Sequence, residues 1–514
     1  MPEVRRKRGG ARAAMLAARR SALPKDMRPI RAGMEGGFYK PLSDAQILQI
    51  HEAALTILET IGLADAPPSG VEVMLKAGAV QDSNGRLLFP RSVVEDTLAI
   101  AARDITLFGQ DPEHDIHPGG TRVHYGTAGA AVHVYDLDLD DNRDPTVQDM
   151  YDAARLVQQL DNIHFFQRPL TCRDVAEPYQ MDLNTLYAAI KGTSKHAGVS
   201  FTSVESASKA LEMLHVVAGG EDKWRERPFV SNSNCFVVPP LKFATESCQI
   251  MEILVRGGMP ILLLSAGQAG ATAPATLAGA IAQAVAECLA GLVYVNAIKP
   301  GAPAIFGTWP FVSDLRTGAM SGGSPEQGLL TAACGQMARH YNLPAGSACG
   351  MVDSKRPDMQ AGYERGIANV MAGLSGLNLV YESVGMYASL LSYCHESLII
   401  DNDLLGYCLR TVRGIEVSDE TLAIDTMRDT CLGIGEAPAA GHYLGAAQTL
   451  KVMQTEYVYP SIGDRSSPKE WLERGKPVLL EEASKRKAEM LKYQPTHWAD
   501  GVDEQVRTLF EPVI

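Results

Sequence analysis

Apolar and polar positions fall into two regimes along the 514-residue chain, and the change comes near residue 147. Before it the elements are short and mixed. Ser43 followed by Gln46 has the form of a capping box, and Ile47, Ile50, Ala54, Ile57 and Leu58 recur at helical spacing until Gly62. A short helix is expected over 71–77, a hairpin at Asn84-Gly85, a helix over 92–101, and β runs at 105–108, 123–125 and 131–135. Beyond residue 147 helices and short apolar runs alternate. Helices over 147–160, 182–191, 204–217, 245–255, 276–295, 325–341 and 359–373 each feed a strand, at 163–166, 197–201, 229–231, 260–264, 303–306, 345–349 and 377–381. The stretch 343–385 shows the unit best: an apolar run, the polar turn Asp353-Ser354-Lys355-Arg356-Pro357-Asp358, a helix, and a second apolar run stopped at Glu382.

Strand, turn, helix, strand repeated in this way predicts parallel neighbours, because antiparallel partners need no long crossover. Seven units are countable. An eighth strand is expected at 292–296 or from one of the flanks. The regular period favours a (β/α)8 TIM barrel, an α/β fold, over an open sheet. The expected organisation is a basic flexible arm over 1–41, an α+β cap over 42–148, the barrel over 149–390, and a helical C-terminal extension over 391–514 packed on it. In such a barrel chemistry sits in the turns that follow the strands.

Composition narrows the function. A net charge of −13 argues against nucleic-acid binding. Ten of the first 31 residues are Lys or Arg, which reads as a flexible or oligomer-embracing arm. Nine cysteines without a CxxC pair look like reduced thiols, so a cytoplasmic protein is expected. The most apolar stretch, 273–295, carries Gln283 and Glu287 and reads as a buried helix, so no membrane span is expected.

Two stretches have the form of metal motifs. Asp115-Ile116-His117-Pro118-Gly119-Gly120 fits the D-x-H-x-x-G pattern whose histidine ligates cobalt, but it lies in a loop and reads as a glycine-rich turn. Cys394-His395-Glu396 is the one tight cluster of potential zinc ligands. Adjacent side chains point apart, so no metal site is expected. The groups at strand ends are more telling: Phe166, Gln167 and Arg168, Phe201, Asn232 and Asn234, Gln268, Trp309 and Phe311, and Tyr381 and Glu382, with Tyr125 joining from the cap. Aromatic rings around one carboxylate can hold a quaternary ammonium by cation–π attraction. Asn232 and Asn234 are two apart on one strand and share a face.

Several stretches taken in order carry a resemblance. They include Ile50-His51-Glu52-Ala53-Ala54, His124-Tyr125-Gly126-Thr127-Ala128-Gly129, Gly270-Ala271-Thr272-Ala273-Pro274, Lys299-Pro300-Gly301-Ala302-Pro303, Ser324-Pro325-Glu326, Asp353-Ser354-Lys355-Arg356-Pro357-Asp358 and Gly441-His442-Tyr443-Leu444-Gly445. The chain resembles the trimethylamine methyltransferase family, in its non-pyrrolysine branch that includes glycine betaine methyltransferases. The resemblance implies a TIM barrel that passes a methyl group from a small quaternary or tertiary amine to the Co(I) of a corrinoid (cobalamin) carried by a separate protein. No cofactor would then be bound tightly here. The founding members use a pyrrolysine, and this chain holds only standard residues. A quaternary ammonium leaves as a neutral tertiary amine and needs no general acid, so a betaine-like substrate is expected. Its carboxylate would need a cationic or donor partner, for which Arg168, His395 and His442 are candidates.

The expected substrate-binding residues are therefore Tyr125, Phe201, Asn232, Asn234, Trp309, Glu382, His395 and His442. The expected partners are the amine and the corrinoid protein, in a homo-oligomer. The rival readings are a metal-dependent TIM-barrel hydrolase or lyase, and a non-catalytic betaine-binding protein.

Overall fold

A computed structural model describes residues 23–435 and 439–514. Most of the basic start of the chain lies outside the described residues. Eight short strands carry the parallel pairing: β1 (Arg122–Tyr125), β2 (Phe166–Gln167), β3 (Ala197–Val199), β4 (Val230–Asn234), β5 (Ile261–Ser265), β6 (Ala304–Thr308), β7 (Gly346–Ala348) and β8 (Leu379–Tyr381). One sheet runs β6-β5-β4-β3-β2, and another contains β1-β8-β7. Two parallel bridges, Gly126 with Phe165 and Phe306 with Ala345, join their edges. Every one of the eight strands thus has a parallel neighbour on each side, and the pairing order returns to its start. The chain is an α/β protein.

The helices between strands are α1 (Val147–Gln158), α2 (Pro178–Gly192), α3 (Val204–Ala218), α4 (Thr245–Arg256), α5 (Leu277–Ile298), α6 (Pro325–Tyr341), α7 (Met359–Ser375) and α8 (His395–Arg413). Their ends follow local chemistry. Thr146 and Ser203 form capping boxes at α1 and α3, satisfying amides that have no partner within the helix. Asn342 and Gly376, both left-handed, close α6 and α7.

Three expectations need correction. The eighth strand comes from the N-terminal flank, as one of the two alternatives had it: the β run expected at 123–125 is Arg122–Tyr125, which moves from the cap to the ring, whereas the other alternative, 292–296, lies inside α5. Helix α5 is apolar on every side because it is sandwiched: β5 and β6 press on one face, and Asp44–Thr60, Pro68–Lys76 and Arg91–Ile100 on the other. Among the described residues it is the one helix that is long and apolar enough to cross a membrane, and it is packed inside the protein. Second, the arm expected over 1–41 is not wholly free: Met34–Glu35 pairs antiparallel with Val123 and Arg122. Third, the extension expected to be helical from 391 opens on a strand, Ser392–Tyr393, which pairs antiparallel with Met386–Tyr387 and in parallel with His133–Asp136. Further on, Leu479–Met490 packs on α8 and α1, and Val502–Phe510 on α3.

Register decides which side chains meet inside the ring. Residues paired across parallel strands share a face, and successive residues alternate. Tyr125, Asn234, Leu263, Ser265 and Phe306 touch the helices: their partners are Asn369 in α7, Ser247 in α4, Gly291 and Glu287 in α5 and Tyr341 in α6. The alternate set faces inward: Gly126 beside Phe165, Gln167 beside Gly198, Ser233 beside Leu262, and Gly346 beside Leu379. Space there is shared. A Cβ on Gly126 would lie 2.3 Å from the Phe165 ring, and one on Gly346 would lie 2.5 Å from Tyr381. Gly126→Ala should therefore cost about 1–3 kcal/mol by overpacking, measured by chemical denaturation, and Phe165→Leu in the same chain should recover part of the loss.

Candidate active site

Three inward aromatics gather at the C-terminal ends of β6 and β8. Trp309, just beyond β6, donates its indole Nε1–H to the Gly346 carbonyl at 3.1 Å, which fixes the ring across the interior. Its centroid is 5.2 Å from Tyr381 and 6.5 Å from Phe311, and Tyr381 is 4.9 Å from Phe165. Trp309, Phe311 and Tyr381, from the ends of β6 and β8, thus form one buried surface, and Phe165, which precedes β2, packs against Tyr381.

Glu382 follows Tyr381 directly. Its backbone is left-handed, φ 59°, which non-glycine residues rarely adopt. It is 1% exposed, and its Oε2 has no hydrogen-bond partner among the described residues. Burial alone pushes its carboxyl up to about 8, because no cation lies close enough to favour the charged form. Other buried atoms at strand ends are also unpartnered: Ser233 Oγ in β4, Ser313 Oγ after β6, and Arg168 Nε after β2. Desolvation lowers the Arg168 guanidinium, opposed by Asp182. β8 and β2 both flank β1, so Glu382 and Arg168 stand either side of the β1 end. A cavity of about 350 Å³, lined by Val312, Ser313, Leu315 and Ser321 among others, opens on the loops after β5 and β6.

A larger cavity, about 1090 Å³, lies by His164 and Lys195 at the N-terminal ends of β2 and β3. Its ionic groups are largely satisfied: Lys25 pairs with Glu113, Arg28 with Asp161, and Lys195 donates to three carbonyls. It is also at the wrong end of the strands for the chemistry of parallel β/α units.

Among the expected residues, Trp309 belongs to this ring cluster, and Glu382 follows Tyr381, one of its members, in the chain. Phe201 is buried just past β3 but has no ring contact with this cluster among the described residues. Tyr125 does not join: it faces outward, and its hydroxyl donates to the Asn369 carbonyl at 2.9 Å. Asn232 and Asn234 share a face, as expected, but it is the helix-facing one: Asn234 donates to Asn232 Oδ1 and to the Ser247 carbonyl, both at 3.0 Å. His395 sits at the seam of α8 and α1, with Nε2 2.9 Å from the Asp149 carbonyl. His442 is exposed in the C-terminal tail. The face assignment failed for Tyr125, Asn232 and Asn234 because short strands buried on both sides show no alternation to read. For the same reason Phe166 was picked, although Phe165 points inward.

The metal motifs are used structurally. Asp115 accepts from the Gly109 amide and Arg227, and the His117 ring bonds Thr106, in a turn closed by the Leu107–Ile116 bridge. Glu396 pairs with Lys487 while His395 turns away toward Asp149. No group of three His, Cys, Asp or Glu is arranged for a metal among the described residues.

The family model described as trimethylamine methyltransferase (MTTB) matches residues 5–511. The chain belongs to the trimethylamine methyltransferase family. It is 30% identical over 482 residues to the trimethylamine methyltransferase MttB of Desulfitobacterium hafniense DCB-2, covering 93% of this chain and 95% of that protein. It is 31% identical over 439 residues to the glycine betaine methyltransferase of D. hafniense Y51, covering 84% and 88%. In fold it is similar to a solved structure, the hydroxylamine MtmB complex, at 11% identity and TM-score 0.50 over 93% of this chain and 92% of that one. The protein is thus a methyltransferase.

The raised Glu382 carboxyl makes a stability prediction. Between its unfolded value near 4.5 and about 8, the folded state holds a proton that the unfolded state has released, so stability falls as pH rises through that window. Glu382→Gln should leave the melting temperature unchanged at pH 4 and raise it by several degrees at pH 8.5, read by calorimetry at both values.

Proposed function

We propose that this methyltransferase moves a methyl group from a small quaternary or tertiary amine, betaine-like, to the Co(I) of a corrinoid carried by a separate protein. We also propose that its strands form a (β/α)8 barrel beginning at residue 122, with the C-terminal extension over 391–514 packed on it, and that it works in the cytoplasm as a homo-oligomer. The observation that carries the reading is Glu382: a buried carboxylate without a cation, next in the chain to Tyr381, whose ring packs on Trp309. A fixed organic cation supplies what this site lacks. Each ring face adds about 0.5–2 kcal/mol of cation–π attraction, and the carboxylate adds a charge partner in a poorly hydrated place.

The chain's residues would act by binding, orientation and water exclusion. With a quaternary substrate the C–N bond breaks with its electron pair left on nitrogen, so the product is a neutral tertiary amine and no residue need donate a proton; a tertiary amine would have to bind already protonated. The corrinoid supplies the nucleophile and takes the methyl group. Charge leaves the substrate as the bond breaks, so Glu382 has less to hold in the product than in the substrate, which favours release. Arg168, with its free Nε, is the candidate partner for a betaine carboxylate.

The test is a screen of methylated amines that follows cob(I)alamin conversion to methylcobalamin by absorbance; no conversion with any onium compound would remove the catalytic reading. Trp309→Ala should raise the donor KM by about 10–100-fold. Tyr125→Phe should leave the kinetics unchanged while costing about 1 kcal/mol of stability through the lost bond to Asn369. Because the ligand-free carboxyl sits near 8, binding a permanent cation must displace one proton at lower pH. Calorimetric affinity should fall about tenfold per unit below pH 8 and level off above it, and Glu382→Gln should abolish that slope.

A further inference from the structure

We infer that Asp353 is the positioning residue that fixes the two halves of the onium site relative to each other, an inference that rests on the function proposed above. The halves come from different loops. Trp309 and Phe311 open the loop after β6, which continues to Ser321, and Glu382 opens the loop after β8, which continues to Ser389. Asp353 lies between them, in the loop after β7. Ser321 Oγ donates to its Oδ2 at 2.5 Å, and Ser389 Oγ donates to its Oδ1. Ser389 Oγ also accepts from the Gly322 amide at 3.2 Å, so the outer two loops touch through the same hydroxyl. Lys355 leaves the carboxylate to the serines: its Nζ goes to the Asp353 backbone carbonyl.

The clasp is backed from both sides. Glu364, on α7, accepts the Asp353 amide at 2.8 Å, and it fits only because residue 323 is glycine: a Cβ there would lie 2.4 Å from Glu364 Oε2. On the other side the amides of Ala388 and Ser389 donate to the carbonyls of Ser354 and Val352, at 2.8 and 2.9 Å. These bonds hold a turn that the backbone disfavours. Ala388, Ser389 and Leu390 are three consecutive non-glycine residues with φ of 49°, 52° and 95°. Such a turn keeps its shape only while its partners hold it. Loss of the Asp353 carboxylate would free Ser321 and Ser389 together, and the aromatic wall and the Glu382 loop could then drift apart.

The test compares Asp353→Ala, Asp353→Asn and the double variant Ser321→Ala/Ser389→Ala in the full chain. Asp353→Ala and the double serine variant should raise the donor KM at least tenfold, with the cob(I)alamin KM within twofold of wild type. Asp353→Asn, whose amide keeps one acceptor oxygen, should fall between. A donor KM unchanged in Asp353→Ala, or donor and acceptor constants worsening together with the folded fraction, would overturn the inference. Hydrogen exchange gives a readout that needs no turnover: amides of residues 388–391 should exchange at least tenfold faster in Asp353→Ala or, if that chain does not fold, in Ser389→Ala. Unchanged exchange would also overturn it. A wild type that demethylates no onium compound while the exchange rates shift as stated would sink the proposed function and leave the clasp standing.

Discussion

The interior of the strand ring has room for only a few large side chains, and the rest of the molecule is arranged around how that room is allotted. Glycine at 126 and 346 lets Phe165 and Tyr381 lie across the middle, and Trp309 is pinned over them by a bond to the Gly346 carbonyl. The packing excludes water from the end of β8. A carboxylate placed there has neither solvent nor a cation to stabilise its charge, so Glu382 keeps its proton to about pH 8. The same small inner residues that allow close packing thus create the unmet electrostatic demand from which the proposed chemistry follows.

Holding that arrangement requires local geometries that the chain would not choose unaided. Glu382 is left-handed, as are Ala388, Ser389 and Leu390, and each such residue costs about 1–2 kcal/mol against the right-handed alternatives. The surroundings over-determine them. Asp353 and its serines hold the turn from above. From below, Arg365 joins the Gly350 and Met386 carbonyls and pairs at 3.0 Å with Asp401, which also accepts the Gly385 amide. Two carboxylates with separate partners therefore brace the loops after β7 and β8. Strain gathers where the site is and is absorbed by ordinary hydrogen bonding around it.

The outer elements serve the ring less directly. Three N-terminal helices cover α5, and the C-terminal helices cover α1, α3 and α8. Helix α5 consequently has an apolar composition on every side, which is the composition of a membrane span produced by a different solvent: protein in place of lipid.

Much of this was legible in the sequence, for identifiable reasons. Helix ends were readable because caps are local: Ser43 and Gln46 bond each other within one turn. The alternation of helix and strand gave the class of fold, and Trp309 and Glu382 stood out as candidates by their positions just beyond apolar runs. What the sequence could not decide was anything set by register or by distant partners. Phe165 and Phe166 are chemically alike and adjacent, and only the bridge to Gly126 shows which points inward. Tyr125 and Asn234 looked equally suited to the interior until their hydrogen bonds placed them against α7 and α4. Strand β1 looked like part of a cap because its partners, Leu379 and Val380, lie more than 250 residues away. Local propensity is written in a few neighbouring residues; which face is inside, which strand closes the ring, and which carboxylate is left without a cation are properties of the packed whole.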